Sequence, residues 1–368
     1  MVESYVSILR TRAIAGQIEP SADPTERCSR SASLKRIKEA RDFQRGRSRS
    51  VGGGGIPERA GAVWQYGGVT SLIADGAALE TLYTGTEWGE GPVWIEPLNS
   101  LRWSDIPNDR ILQYDEASGE TRVFRDGAEF TNGRTLDLEG RVVQCSHGRR
   151  SVERETSIDG STPPQTLVDR WNGVRFNSPN DVVVASDGTV WFTDPPYGID
   201  PSEREGHAAE PEYEGCFVFR FDPASGDVDP VITDMIHPNG LAFSLDEKTL
   251  FVSDTGFYAG SAAARHIRAY DVDVRGATCS NGREFAVVRP GASDGFRVDV
   301  EGRIWTSSED SVQILSSTGE VLERIPVPEK VSNVCFGGAS GRDLYVTAST
   351  SLYRIRTTTT QAPRPSRP

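Results

Sequence analysis

The strongest constraint in this 368-residue chain is a repeat whose phase holds six times. Each copy carries a polar leader, a short apolar strand, a turn and a second strand. The copies read EGPVWIEPLNSLRWSD from Glu90, NGRTLDLEGRVVQCS from Asn132, NDVVVASDGTVWFTD from Asn180, NGLAFSLDEKTLFVSD from Asn239, DGFRVDVEGRIWTSS from Asp294 and NVCFGGASGRDLYVTA from Asn333. The second strand ends 14 or 15 residues after each leader, at Asp105, Ser146, Asp194, Asp254, Ser308 and Ala348. Successive leaders lie 42, 48, 59, 55 and 39 residues apart.

That period matches a β-propeller, whose blades are four-stranded antiparallel sheets of about 40–50 residues. The expected fold class is therefore all-β, a six-bladed β-propeller. The phased strands form the inner pair of each blade, and the intervening segments supply the outer pair: DRILQYD with ETRVFRD, GCFVFRFD with DVDPVITD, HIRAYDV with EFAVV. The sixth copy has only SLYRIRT left, so one strand is missing. Ala77–Tyr83 (AALETLY) is free to complete it and remove the open sheet edge. No helical-period segment separates the strands, which disfavours a parallel α/β fold.

Residues 66–358 are assigned to the propeller. Residues 1–65 form a low-complexity basic extension expected to be disordered, and residues 359–368 a disordered tail. Charge supports the division. Residues 1–60 hold 12 Lys/Arg against 7 Asp/Glu, and the remainder 28 against 46, a net of −18. So acidic a body repels phosphates, which argues against a nucleic-acid partner. No apolar run approaches the roughly 18 residues that span a bilayer, so no membrane partner is expected either. The start, MVESYVSILRTRAIAG, does not read as a secretory signal. Five scattered cysteines without a CxxC pair suggest neither a zinc ribbon nor a disulfide framework, and the expected location is cytoplasmic.

If the six leaders occupy one equivalent position per blade, their side chains converge on the axis. Asn-Gly, Asn-Asp and Asp-Gly pairs are also common turn formers, so any single one carries little information. Six in phase, all carboxylate or amide, describe an oxygen-lined ring with carboxylates at Glu90 and Asp294. A hard cation such as Ca²⁺ takes six to eight oxygens at about 2.3–2.6 Å, whereas a ring without His or Cys suits zinc less well. Phase alone leaves all six leaders open as ligands.

The segments WGEGPVW, FTNGRTLDLEGR, RFNSPNDVVVASDGTVWFTDPPYG, HPNGLAFSLDEKTLFVSDTG, SDGFRVDVEGRIW and NVCFGGASGRDLYVTASTSLY resemble the signatures of the gluconolactonase and regucalcin family, in particular its bacterial sugar-lactonase branch. The likeness runs from about residue 75 to 356. It implies one catalytic divalent ion, Ca²⁺ with Mg²⁺, Mn²⁺ or Zn²⁺ as alternatives, held by Glu90, Asn180, Asn239 and Asp294. It also implies Asp294 as the base, and moves Asn132 and Asn333 to the channel lining. The implied reaction is hydrolysis of a sugar lactone to the aldonic acid. Hydrolysis of another lactone or a phosphotriester, or a non-catalytic calcium-binding propeller, are the alternatives. The sequence leaves the oligomeric state open. Substrate contacts are expected from Asn132, Arg134, His147, Asn180 and Tyr197, with Arg149, Asp194 and His237 as further rim candidates. Trp94, Trp103, Trp191 and Trp305 fall at strand phases and read as inter-blade core.

Overall fold

The computed structural model describes residues 64–65, 71–274 and 277–363. The extension expected at the N-terminus lies outside these residues, except for Trp64–Gln65. Among the described residues there are six antiparallel sheets arranged as propeller blades, a two-stranded hairpin (Arg170–Trp171 with Val174–Arg175) and no α-helix. No helix there is long and apolar enough to cross a membrane.

Blade 1 runs outward through Gly89–Ile95, Ser100–Asp105, Arg110–Asp115 and Glu120–Asp126. Blade 2 uses Thr131–Leu136, Val142–Ser146, Ser151–Arg154 and Gln165–Val168. Blade 3 uses Val182–Val184, Val190–Asp194, Cys216–Phe221 and Val228–Met235. Blade 4 uses Pro238–Phe243, Thr249–Asp254, His266–Asp273 and Thr278–Val287. Blade 5 uses Phe296–Val298, Ile304–Ser307, Ser311–Leu315 and Val321–Pro326, with Trp64–Gln65 paired outside it. Five second strands end where the repeat places them; the fifth ends at Ser307, one residue early.

Blade 6 is made from both ends of the propeller. Val331–Gly337, Asp343–Ala348 and Ser351–Arg356 come from the C-terminal side, and Glu80–Thr84 pairs antiparallel with Ser351–Arg356. The chain also stays attached beyond the expected boundary at 358. Thr359 is buried, Gln361 bridges to Asp299, and Ala362 N donates to Val298 O at 2.9 Å. Backbone pairing with Val298, Asp299 and Val300 thus holds Thr360–Ala362 against blade 5.

The apolar residues gather into clusters between neighbouring blades. Trp305 packs against Phe336 between blades 5 and 6, and Trp191 against Phe243 between blades 3 and 4. Trp94 stacks on Tyr345 between blades 6 and 1, with ring centroids 5.4 Å apart. The four tryptophans are therefore inter-blade core, as their phase suggests. The interface of blades 1 and 2 differs: its apolar cluster is only Val93, Ile95, Leu136 and Val142. Arg102, Arg134 and Glu155 fill the rest of that seam.

Candidate active site

Each leader departs from the regular ladder. In blades 1, 2, 4 and 6 the register of the innermost pair slips at Glu90/Val93, Thr131/Arg134, Pro238/Leu241 and Val331/Asn333. In blades 3 and 5 the strand starts two residues after the leader. Such irregularities re-aim a side chain that pleating would otherwise bury in the sheet. The following glycine is not there to turn the chain. A Cβ on Gly91 or Gly240 would overlap the backbone carbonyl oxygen of the next blade's leader, Asn132 or Asp294. Only Gly91 of this pair also needs a left-handed backbone, at φ 55°.

Three aspartates at the ends of second strands fix the segments that present the leaders. Asp105 accepts from Glu87 N and Trp88 N at 2.8 and 3.4 Å. Asp194 accepts from Asn177 N and Ser178 N, both at 2.7 Å, and Asp254 from Ile236 N and His237 N, both at 3.0 Å. The recurrent strand-end Asp is thus a clamp about three residues upstream of the leader.

Glu90, Asn132, Asn180, Asn239 and Asp294 line one cavity, together with Trp88, Tyr197, Glu205, Thr255, Tyr258 and Lys330. Asn333 stands beside it and donates from Nδ2 to Glu90 Oε2 at 3.0 Å. Glu90 also accepts from Gly91 N through Oε2, while its buried Oε1 accepts from no described residue. Burial raises the pKa of Glu90 well above the usual carboxylate range, and the charge of Asp294 raises it further. Asp294 is raised as well, chiefly by burial, with the Lys330 ammonium opposing. Asn239 donates from Nδ2 to Thr255 Oγ1 at 3.2 Å and also bonds Asp294, and its Oδ1 accepts from no described residue.

Two carboxylates, one of them with an orphaned buried oxygen (Glu90 Oε1), and two amide oxygens make an all-oxygen donor set that fits a hard divalent cation. Among the described residues no cluster of three or more His, Cys, Asp or Glu is placed to hold a metal.

The expected substrate contacts divide. Asn132, Asn180 and Tyr197 lie on the cavity. Arg134 does not: it is 1% exposed, donating to Gly91 O at 3.0 Å and Ser104 Oγ at 2.8 Å in the seam of blades 1 and 2. The register slip before Arg134 turns it away from the axis. His147 is completely buried behind Asn132, and the exposed Arg149 pairs with the buried Glu153 away from the cavity lining. Asp194 is one of the clamps, and His237 packs edge-on against Tyr197. Trp88, Glu205, Thr255, Tyr258 and Lys330 were missed from sequence. They sit in loops outside the repeat, and only Thr255, directly after the strand-end Asp254, has a positional signal.

A family model described as "SMP-30/Gluconolactonase/LRE-like region" matches residues 88–350. The chain is 31% identical over 303 residues to a gluconolactonase of Zymomonas mobilis, covering 76% of this chain and 82% of that one. It is 30% identical over 279 residues to a pentonolactonase of Haloferax volcanii, covering 72% and 83%. A solved gluconolactonase from Xanthomonas campestris superposes with a TM-score of 0.71 at 36% identity, over 82% of this chain and 99% of that one. With the repeat, the propeller and these matches in agreement, the chain belongs to the SMP-30/gluconolactonase/LRE-like family.

Proposed function

We propose that this hydrolase opens a sugar lactone to its aldonic acid in the cavity where Glu90, Asn180, Asn239 and Asp294 hold a divalent cation, Ca²⁺ by preference. The observation that carries the reading is the convergence of the buried Glu90 and half-buried Asp294 carboxylates on one cavity, with Glu90 Oε1 left without a partner among the described residues. Two such groups repel each other and lose hydration unless a cation joins them. The activities named for the two curated relatives, on gluconolactone and a pentonolactone, supply the substrate class.

Held there, the cation would supply Lewis-acid polarisation of the lactone carbonyl and lower the pKa of the attacking water. Asp294 faces the same cavity and takes the proton as water adds to the carbonyl carbon. Collapse of the tetrahedral oxyanion breaks the acyl bond to the ring oxygen, which takes up that proton. One water is consumed, and one carboxyl and one hydroxyl group are formed. Asn132 and Tyr197 face the substrate, and Tyr197 is held by a 2.6 Å bond between its hydroxyl and Thr255 Oγ1. The location assigned from sequence, the cytoplasm, stays part of this proposal.

The test is hydrolysis of glucono-, galactono- and arabinonolactone by the purified chain, with and without EDTA. At least one lactone should be hydrolysed, with activity lost on chelation and restored by Ca²⁺. Inactivity on all three, or full activity after complete metal removal, would overturn the reading.

A further inference from the structure

His147 was expected on the rim, yet no part of it is exposed and none of it reaches the cavity. Its two ring nitrogens instead join two walls of the site. Nδ1 lies 2.9 Å from the backbone oxygen of Glu205, and Nε2 lies 3.2 Å from Asn132 Nδ2. A carbonyl oxygen can only accept, so Nδ1 carries the proton. Burial lowers the His147 pKa to about 4, which keeps the ring neutral. Nε2 is then a lone pair and must accept from an amide N–H.

This fixes an otherwise ambiguous group. Turned the other way, Asn132 would oppose its Oδ1 to the Nε2 lone pair, with no hydrogen between them. With Nδ2 committed to His147, Oδ1 is the atom left for the cavity that Asn132 lines, and it accepts no hydrogen bond among the described residues. The loop after Asp194 is seated by the same ring. A Cβ on Gly198 would overlap the His147 side chain, and Tyr197 and Glu205 flank that contact.

We propose that His147 is a positioning residue that turns the Asn132 carbonyl oxygen toward the substrate, where it accepts a hydrogen bond from a ring hydroxyl of the lactone. The proposal rests on the lactonase reading above. It assigns polyol recognition to a neutral acceptor, distinct from the carboxylates. A site built to pair a hydroxyl discriminates strongly against a substrate that lacks it, because its own polar group is then left unpaired.

The test compares H147L and H147Q with wild type on gluconolactone and on the hydroxyl-free δ-valerolactone. H147L should lose roughly 10- to 100-fold in kcat/KM on gluconolactone, mainly through KM, and less than about threefold on δ-valerolactone. Gln can donate to Glu205 O and accept from Asn132 at once, so H147Q should recover most of the loss. Equal losses on both lactones, or an H147Q as impaired as H147L, would overturn the proposal. A readout independent of turnover is the tautomer of wild-type His147 at pH 7, from long-range ¹H–¹⁵N spectra. The Nδ1–H form is expected, and an Nε2–H form or an imidazolium sinks the assignment. A wild type inactive on every lactone, with the Nδ1–H form observed, would sink the lactonase reading and the hydroxyl contact together. The wrong tautomer in an active enzyme would sink only the role of His147.

Discussion

Two buried ionic clusters lie on neighbouring parts of this propeller, and they balance charge in opposite ways. In the seam between blades 1 and 2, Arg102 meets Glu155 at 2.7 Å, with side-chain exposures of 1% and 4%. The guanidinium also donates to Gln113 Oε1 at 2.9 Å and to Ile158 O, and lies 3.5 Å from the centroid of the Phe124 ring. That cluster pairs opposite charges drawn from the chain itself, although Glu155 Oε1 has no hydrogen-bond partner among the described residues. At the channel, Glu90 and Asp294 line one cavity with amides and Lys330, and the charge of Asp294 raises the pKa of Glu90. The first cluster replaces apolar packing where the hydrophobic contact is smallest. The second brings like charges together, which is what a cation-binding site requires.

The contrast is sharpest under substitution. D294N removes one proposed carboxylate ligand and the proposed base from the channel cluster, so lactone hydrolysis should fall about 10³-fold. With the cation removed, its melting temperature should stay at or above that of wild type, because carboxylate repulsion is relieved. Steady-state kinetics and chelated thermal melts check both. E155A should do the reverse, leaving kcat near wild type while lowering urea-unfolding stability by about 3–5 kcal/mol, because a buried guanidinium loses its partner. Replacing both members by apolar residues, R102M with E155L, should recover most of that loss.

A third buried group escapes both arrangements by remaining neutral. The His147 pKa is lowered by burial to about 4, from an ordinary 6.5. Between these values the unfolded chain binds a proton that the folded chain refuses, so stability falls as pH drops from 6.5 to 4. Wild type should therefore lose up to about 3 kcal/mol that H147Q does not, as read from urea midpoints across that window. The smallest effect separates the open cluster from the closed one by ligation. Ca²⁺ at about 100 times its Kd should stabilise wild type by about 2.7 kcal/mol and leave E90Q nearly unchanged. Equal stabilisation of the two would mean that the ion sits elsewhere.

The phase of the repeat made the blades legible, because inner strands must be buried on both faces and their apolar runs cannot drift. It also located the leaders, since one position per blade has to face the axis. It did not reveal what lies on either side of them. Arg134 is two residues from Asn132 and by simple alternation shares its face, but the slip in register sends it into the seam instead. Lys330 and Glu205 reach the cavity from loops with no period to follow. The glycines after the leaders looked like turn formers, yet at Gly240 the requirement is space for the next blade's carbonyl. Packing between blades sets that need, and a pattern read along one strand does not contain it.

The pairing of Glu80–Thr84 with Ser351–Arg356 has a consequence for how the molecule is made. The first strand of the ring leaves the ribosome long before its partner exists. At about 5–20 residues per second, the intervening stretch takes roughly 15–50 s to synthesise. During that interval blades 1–5 can assemble as an open arc, with unpaired strand edges at its ends and Glu90 without the Asn333 amide that supports it. Ring closure is thus a late, long-range event, and the waiting time is when this chain is most exposed to mispairing with its neighbours.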